Sequence, residues 1–224
     1  MGVASDTDSQ DGAARHQRAD AARNRARVLE AAAEMFRERG VEVGVGEIAD
    51  RAGVGRGTLF RNFPTKRDLV VAVVMQRIDE VVGQGRALLA SDTDEELVFP
   101  FVSDMVGLQQ VDRSLFEVVA SDELLELPEM QAAHEGIIEV LDAMIAHDQR
   151  LGLVRDGIGA LDVLMLFKGA CAVATALADA GPRSLDRHLS LVRAAIAAPG
   201  RECPLQGHMP TLADLRGSIQ TTAS

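Results

Sequence analysis

The sequence predicts an all-α fold of about nine helices, and three features of the chain support this prediction. Apolar residues recur three and four positions apart over long stretches, a spacing that places them on one face of a helix. No segment shows the alternating pattern of a β-strand bounded by hairpin turns. Aromatic residues make up only 3% of the 224 residues, whereas 47% are hydrophobic. The predicted core is therefore built from aliphatic side chains, which suits helices joined by short loops.

The N-terminal part begins with a polar segment. Residues 1–22 are of low complexity, so we expect a disordered basic arm. Arginines in and just after this arm either contact DNA or simply belong to a poorly ordered chain terminus. An amphipathic helix is predicted over residues 27–40, with Gly40 as its end. Further along, Thr65 is suited to cap a helix, and Asp68 lies three residues later, where a capping box places an acid.

Residues 45–63 are the most informative stretch, because they read as two short helices joined by a tight turn. Three apolar residues share one face of the first helix: Ile48, Ala49 and Ala52. Gly53 follows, and its tolerance of a positive φ predicts the end of that helix and a sharp turn. Residues 55–58, Gly-Arg-Gly-Thr, then open a second helix with small, polar and cationic side chains. A helix that enters the major groove needs such residues, so the pattern indicates a DNA-reading helix-turn-helix.

Apolar periodicity predicts six further helices, over residues 66–90, 95–110, 113–125, 128–151, 160–180 and 184–198. Pro100 predicts either a kink or a late start in the second of these, and Pro128 suits the first turn of the fourth. Ser184 is the expected cap of the last helix. We expect residues 200–224 to form a flexible tail.

Charge is distributed unevenly along the chain. The formal net charge is −11, which taken alone argues against a nucleic-acid partner. Residues 13–68, however, carry 12 Lys and Arg against 8 Asp and Glu, whereas the remaining residues carry 11 against 26. A basic N-terminal part on an otherwise acidic chain is suited to binding phosphates at that end. The alternative is that the arginines form only a solvated helix face, but they cluster beside the helix-turn-helix.

The order of these motifs resembles the N-terminal domain of the tetracycline-repressor (TetR) family of bacterial transcription regulators. The match covers roughly residues 24–70 and contains LEAAAEMFRERG, then IADRAGVGRGTLFRNFPTK, then a long helix. The resemblance implies a DNA-binding domain at residues 23–68 and a helical ligand-binding and dimerisation domain at residues 69–199. It also implies a dimeric regulator, expected to be a repressor, that a small hydrophobic inducer releases from a palindromic double-stranded DNA operator.

The resemblance also assigns candidate DNA contacts by position. They lie at the helix caps, on the second short helix, at the start of the next helix and in the arm: Gly44, Gly55, Arg56, Gly57, Thr58, Phe60, Arg61, Asn62, Lys66 and Arg25. Arg56 either contacts a guanine or pairs with a phosphate, and the sequence does not choose between them. The chain departs from the family where Phe60 replaces a phosphate-binding Tyr and where Gly44 and Gly55 replace hydroxyl-bearing caps. These departures predict weaker phosphate anchoring.

For the ligand, the resemblance implies a cavity among the middle helices. The candidate lining residues are Phe101, Met105, Gln109, Phe116, His134, Ile137, Phe167 and Lys168, and the apolar ones equally suit ordinary core. Lys168 needs an acidic partner or an anionic ligand unless its ammonium reaches solvent. His134 is a ligand contact, a pH switch or simply an exposed histidine.

The last two predicted helices are the expected dimer interface. The helix at residues 160–180 is apolar on nearly every side, which requires cover from both the body and a second subunit. Family members dimerise through their last two helices as a four-helix bundle, so the resemblance implies a homodimer through residues 160–180 and 184–198. Ligand binding and operator binding are then linked: the ligand favours a conformation of the dimer in which the two DNA-binding domains are wrongly spaced for the operator.

Other classes of protein find less support in the sequence. There is no nucleophile–base arrangement, phosphate loop or metal-ligand spacing, so we expect neither an enzyme nor a metal or cofactor site. Cys171 is expected only to pack, and Cys203 lies in the polar tail. Neither a signal peptide nor a membrane-spanning run is visible, so a cytoplasmic protein is expected. The alternative that stays open is a ligand-independent regulator or a helical adaptor controlled by a protein partner.

Overall fold

A computed structural model describes residues 6–91, 93–111, 126–176, 182–201 and 204–207. Within these ranges the chain forms eight α-helices and no β-strand, so the predicted all-α fold is confirmed. The helices are α1 (Asp6–Arg39), α2 (Val45–Ala52), α3 (Arg56–Asn62), α4 (Lys66–Leu89), α5 (Val98–Val111), α6 (Pro128–Arg150), α7 (Ala160–Ala176) and α8 (Pro182–Ile196). The helix predicted at residues 113–125 lies outside the described residues.

The helices group into two compact units, which we call the head and the body. The head contains the described residues up to Gln76, and the body contains those from Arg77 onward. α4 therefore contributes its first turns to the head and the rest to the body. The predicted domain boundary at residue 68 falls in the first turn of α4, which is unbroken there. The side chains of its first turns are buried: Leu69, Val70, Val73 and Val74.

α1 is much longer than the sequence predicts. It begins at Asp6, whereas disorder is predicted through residue 22. Residues 13–27 are rich in Ala and Arg, which have high helix propensities, and no Gly or Pro interrupts them. Residues 6–22 of the expected disordered arm are therefore part of α1, and residues 1–5 lie outside the described residues.

Prolines mark the start of three helices in the body. α5 begins at Val98 with Pro100 in its first turn, so the sequence's late-start alternative applies. α6 begins at Pro128 as predicted. α8 begins at Pro182, so Ser184 lies inside the helix, and the prediction that Ser184 caps it is wrong. Proline is tolerated there because the first N–H groups of a helix have no intrahelical acceptor.

One carboxylate is fully buried in the body and joins two helices. Asp148 of α6 is 0% exposed. The N–H of Leu97 lies 3.0 and 3.1 Å from its two oxygens, and the N–H of Val98 donates to Oδ2 at 2.8 Å. These N–H groups lie at the start of α5 and lack intrahelical acceptors. Asp148 therefore caps one helix from another, a role that no pattern in the sequence around it predicts.

The neighbouring His147 is held in a position that favours its protonated form. Its Nδ1 lies 2.9 Å from Oδ1 of Asp148, and its Nε2 lies 2.8 Å from the carbonyl oxygen of Thr93. The Asp148 carboxylate chiefly, and then the Thr93 carbonyl, raise the pKa of His147 because both accept hydrogen bonds from an imidazolium. A raised folded-state pKa stabilises the fold below about pH 6.5, and this stabilisation is lost as the pH rises through the folded-state value.

We therefore expect the His147 contribution to stability to decrease with rising pH. The free energy of urea unfolding of the unmodified chain, minus that of His147→Gln, is expected to be larger at about pH 6 than at about pH 8. Glutamine fills a similar space but does not titrate, so it serves as the reference. A difference that stays constant or grows with pH would contradict the raised pKa.

Two of the described stretches after α8 contact the rest of the body. Two backbone hydrogen bonds of 2.9 Å pair the loop that follows α6 with the end of α8. The N–H of Gln206 donates to the buried Oγ of Ser190 at 3.1 Å. Within the tail that the sequence predicts to be flexible, residues 204–207 therefore carry a specific contact.

The described residues contain neither a reactive thiol, nor a metal-binding cluster, nor a helix that could cross a membrane. Cys171 of α7 is buried, and burial raises its pKa to about 12, so the thiol is protonated and unreactive. Among the residues that the structure describes, no group of three or more His, Cys, Asp or Glu side chains is arranged to hold a metal ion. In the same ranges, none of the helices combines the length and the apolar character needed to cross a bilayer.

Candidate nucleic-acid interface

The head presents two short helices around a glycine turn. α2 ends at Gly53, whose φ of 62° confirms the predicted left-handed turn, and the N–H of Val54 donates to the carbonyl of Ala49 at 3.0 Å. The inward sides of the two helices and the residue after them are apolar and buried: Ile48, Ala49, Ala52, Leu59 and Phe63. Burial of this side fixes which side of α3 faces outward.

Arg27 of α1 holds this turn in place. Its Nη2 donates to the carbonyl oxygen of Gly53 at 3.1 Å. A Cβ added at Gly53 would lie 2.5 Å from the same nitrogen. Glycine is therefore required at this position for two reasons, its positive φ and the space that the Arg27 guanidinium occupies.

Two of the predicted DNA contacts are engaged within the head. Nη1 of Arg25 lies 3.4 Å from the carbonyl oxygen of Asn62, and its guanidinium lies 4.4 Å from the centroid of the Phe63 ring. The side-chain amide of Asn62 donates to the carbonyl of Thr58 at 2.8 Å. Both side chains thus secure the C-terminal end of α3. Each of them keeps further polar atoms, the remaining guanidinium N–H groups of Arg25 and the amide oxygen of Asn62, that these contacts do not use.

Acidic residues neutralise part of the positive charge of the head. Nη2 of Arg51 lies 2.8 Å from Glu34 and 3.6 Å from Glu38. Arg39 pairs with Glu47 at 2.5 Å, and this hydrogen bond is the main cause that lowers the pKa of Glu47. Exposed pairs of this kind contribute little to stability. Their consequence for the site is that Arg39 and Arg51 are already paired between α1 and α2.

The outward side of α3 carries cations that the head does not neutralise. Arg56 and Arg61 are exposed, and neither has an ion-pair or hydrogen-bond partner among the described residues. Phe60 lies beside them and is 47% exposed, which is unusual for a large aromatic side chain. At the start of α4, Nζ of Lys66 lies 4.0 Å from Glu42. Of these groups, Arg56, Arg61 and Phe60 are available to a partner, whereas Lys66 already faces a carboxylate.

The caps of the three helices differ in the hydroxyls that they offer. Gly44 and Gly55 have extended backbones and provide no capping side chain. The N–H of Gly44 lies 3.4 Å from Oε1 of Glu47, which is the half of a capping box that glycine retains. Thr65 and Asp68 form the full predicted box, with the Thr65 N–H donating to Oδ2 at 2.9 Å and the Asp68 N–H donating to Oγ1 at 3.1 Å. The predicted box is thus confirmed.

The predicted ligand residues fall into different environments in the body. Four are buried or half-buried: Phe101, Met105, Phe167 and Ile137. Nδ1 of His134 lies 2.8 Å from the carbonyl oxygen of Met130 on its own helix. Lys168 is exposed on α7, which favours a solvated lysine over a contact with a buried ligand. Phe116 and the side chain of Gln109 lie outside the described residues.

Comparison with known proteins agrees with this arrangement. The family model of bacterial regulatory proteins of the tetR family matches residues 28–73, and that of the SbtR-like C-terminal domain of transcriptional regulators matches residues 94–197. A crystal structure of a TetR transcription regulatory protein from Mycobacterium vanbaalenii is 34% identical, with a TM-score of 0.60. The match covers 81% of this chain and 99% of that one. The chain belongs to the TetR family.

Curated relatives of this TetR-family chain are also transcription regulators. The HTH-type transcriptional activator FasR of Mycolicibacterium smegmatis is 31% identical over 137 residues, which are 57% of this chain and 61% of that protein. An HTH-type transcriptional regulator of Staphylococcus aureus is 43% identical over 63 residues, 28% of this chain and 34% of that protein. The chain therefore matches less than two thirds of the length of these curated relatives.

Proposed function

We propose that this TetR-family regulator binds a palindromic operator as a homodimer and that a small hydrophobic ligand releases it. The observation that supports the DNA-binding part is the outward side of α3, where Arg56 and Arg61 are exposed and have no polar partner among the described residues. Cations on a helix suited to the major groove are available to phosphates and base edges. The protein acts in the cytoplasm, and repression is the proposed direction of regulation.

An exposed apolar surface of the body supports the homodimer. Leu161 and Met165 lie one turn apart on α7 and are 66% and 68% exposed, and Leu191 of α8 is 47% exposed. Large apolar side chains that are exposed together on a helix mark an interaction surface. We propose that this surface packs against its equivalent in a second subunit, so that two heads face the two halves of a palindrome.

Membership of the TetR family supports a hydrophobic ligand in the body, and buried apolar side chains there are the candidates for its binding site. Phe101, Met105 and Phe167 are buried there and are suited to line an apolar cavity. A ligand that binds only the folded state raises the melting temperature, so a screen of apolar compounds by thermal shift tests this part of the proposal. If no compound stabilises the protein, the alternative gains support, namely a ligand-independent regulator or an adaptor controlled by a protein partner.

Arg56→Ala tests the DNA-binding part. We expect it to weaken binding to a selected operator about tenfold, because a charge-assisted contact is lost. The dimer should persist, because Arg56 lies in the head and the proposed dimer surface lies on α7 and α8 of the body. Fluorescence anisotropy measures the affinity, and sedimentation velocity measures the oligomeric state.

Arg155→Ala is the matched control for this experiment. It removes the same charge from an exposed position in the body and is expected to leave operator affinity unchanged. Equal affinities for the Arg56→Ala and Arg155→Ala variants would remove Arg56 from the interface.

A further inference from the structure

The guanidinium of Arg56 lies directly against Gly46 of α2. A Cβ added at Gly46 would lie 2.7 Å from Nη2, 2.9 Å from Cζ and 3.1 Å from Nε of Arg56. Optimal separations between nonbonded heavy atoms are about 3.5–4.0 Å, so any larger residue at position 46 displaces the guanidinium. The contact is specific to this glycine, because a Cβ at Gly55 or Gly57, on either side of Arg56, would meet nothing within 4 Å.

The location of the guanidinium determines what Arg56 can contact. Arg56 is the first residue of α3, but its side chain extends back onto α2. In a helix-turn-helix, the first helix crosses the DNA backbone while the N-terminal residues of the second helix contact base edges. A guanidinium seated on α2 is therefore placed at the helix that crosses the backbone. With no carboxylate partner among the described residues, its charge is available to a phosphate.

We propose that Gly46 is a positioning residue that seats Arg56 on α2, where Arg56 binds a DNA phosphate and not a base. This inference rests on the proposed DNA-binding function and resolves the alternative that the sequence leaves open for Arg56. A phosphate contact fixes the register of the head on the duplex but carries no sequence information. Other outward side chains of α3 must then distinguish one operator sequence from another. The exposed Arg61 is the cation among them.

The test compares Gly46→Ala, Arg56→Ala and the double variant on a selected operator and on its single-base-pair variants across a salt series. Arg56→Ala is expected to weaken binding to all these sequences by a similar factor of about ten. It is also expected to reduce the salt slope by about 2 for a dimer, one phosphate contact for each head. Gly46→Ala is expected to weaken binding in the same uniform way. The double variant should bind no more weakly than Arg56→Ala alone, because the glycine acts only through the arginine.

Two controls separate this effect from damage to the fold. Alanine is a better helix former than glycine, so Gly46→Ala is expected to raise the melting temperature while it weakens DNA binding. Gly83→Ala makes the same exchange in α4 of the body, where a Cβ meets nothing within 4 Å, and it should leave DNA binding unchanged.

The outcomes distinguish this inference from the function on which it rests. If Gly46→Ala binds as the unmodified chain does while Arg56→Ala is weakened, the seat on α2 plays no part and the inference is overturned. A loss of discrimination at one base pair in Arg56→Ala would assign Arg56 to a base and would equally overturn it. If the unmodified chain binds no duplex at low salt, the proposed DNA-binding function itself fails.

Discussion

Asp148→Ala is expected to lower the free energy of unfolding by about 3 kcal/mol, a large fraction of the stability of an ordinary domain. The substitution removes the acceptor for the N–H groups of Leu97 and Val98 and leaves those donors buried without a partner. It also removes the carboxylate that faces His147. Urea unfolding followed by circular dichroism at 222 nm measures the loss.

Asp142→Ala provides the matched control for this prediction. Asp142 lies on the same helix, and its Oδ1 accepts a hydrogen bond from the N–H of Ala160 at the start of α7 at 3.1 Å. Its side chain is exposed and the hydrogen bond is only part-buried, so water can occupy the space that the carboxylate leaves beside the Ala160 N–H. Its removal is expected to cost about 1 kcal/mol or less. Equal losses in the two variants would contradict the claim that burial makes the Asp148 cap important.

Gly85→Ala is expected to destabilise the body by about 2 kcal/mol through overpacking. A Cβ at this position would lie 2.4 Å from Cγ1 of Val140 and 3.3 Å from atoms of Met144 and Phe101. These side chains are buried on α6 and α5, so they have little room to move. The absence of a side chain at Gly85 therefore allows α4 to approach both helices closely.

Gly83→Ala and Val140→Ala separate steric overlap from other effects of the alanine. Gly83 lies on the same helix with open space around its Cβ position, so its exchange is expected to stabilise the fold by up to about 1 kcal/mol. Val140→Ala removes the methyl groups that the new Cβ would meet. The double variant of Gly85 and Val140 should then be more stable than the sum of the two single losses predicts. Additive losses would show that overlap with Val140 is not the cause.

The parts of the structure that the sequence predicts correctly depend on residues a few positions apart. Each correctly predicted feature depends on residues at most four positions apart, as in the face shared by Ile48, Ala49 and Ala52, the turn at Gly53 and the capping box after Phe63. Local periodicity and capping chemistry therefore define the head, which is also where the family's motifs lie.

The features that the sequence does not reveal depend on contacts between distant segments. Asp148 caps a helix that begins about fifty residues earlier, and the guanidinium of Arg25 reaches the far end of α3. The seat of Arg56 on Gly46 likewise requires the angle between two helices, which no spacing specifies. For the ligand residues, apolar character alone does not separate a cavity wall from ordinary core, and exposure is what assigns Lys168 to solvent.

The central claim is that the head binds a specific DNA sequence with two-fold symmetry. The most direct test is to select bound sequences from a pool of randomised duplex DNA with the purified protein, over a range of salt concentrations. We predict enrichment of a palindrome whose half-sites lie about 34–36 Å or a multiple of that distance apart, with an affinity that falls steeply as salt rises. The absence of any enrichment at low salt would contradict the account, and it would indicate that the departures at Gly44, Gly55 and Phe60 have disabled the head.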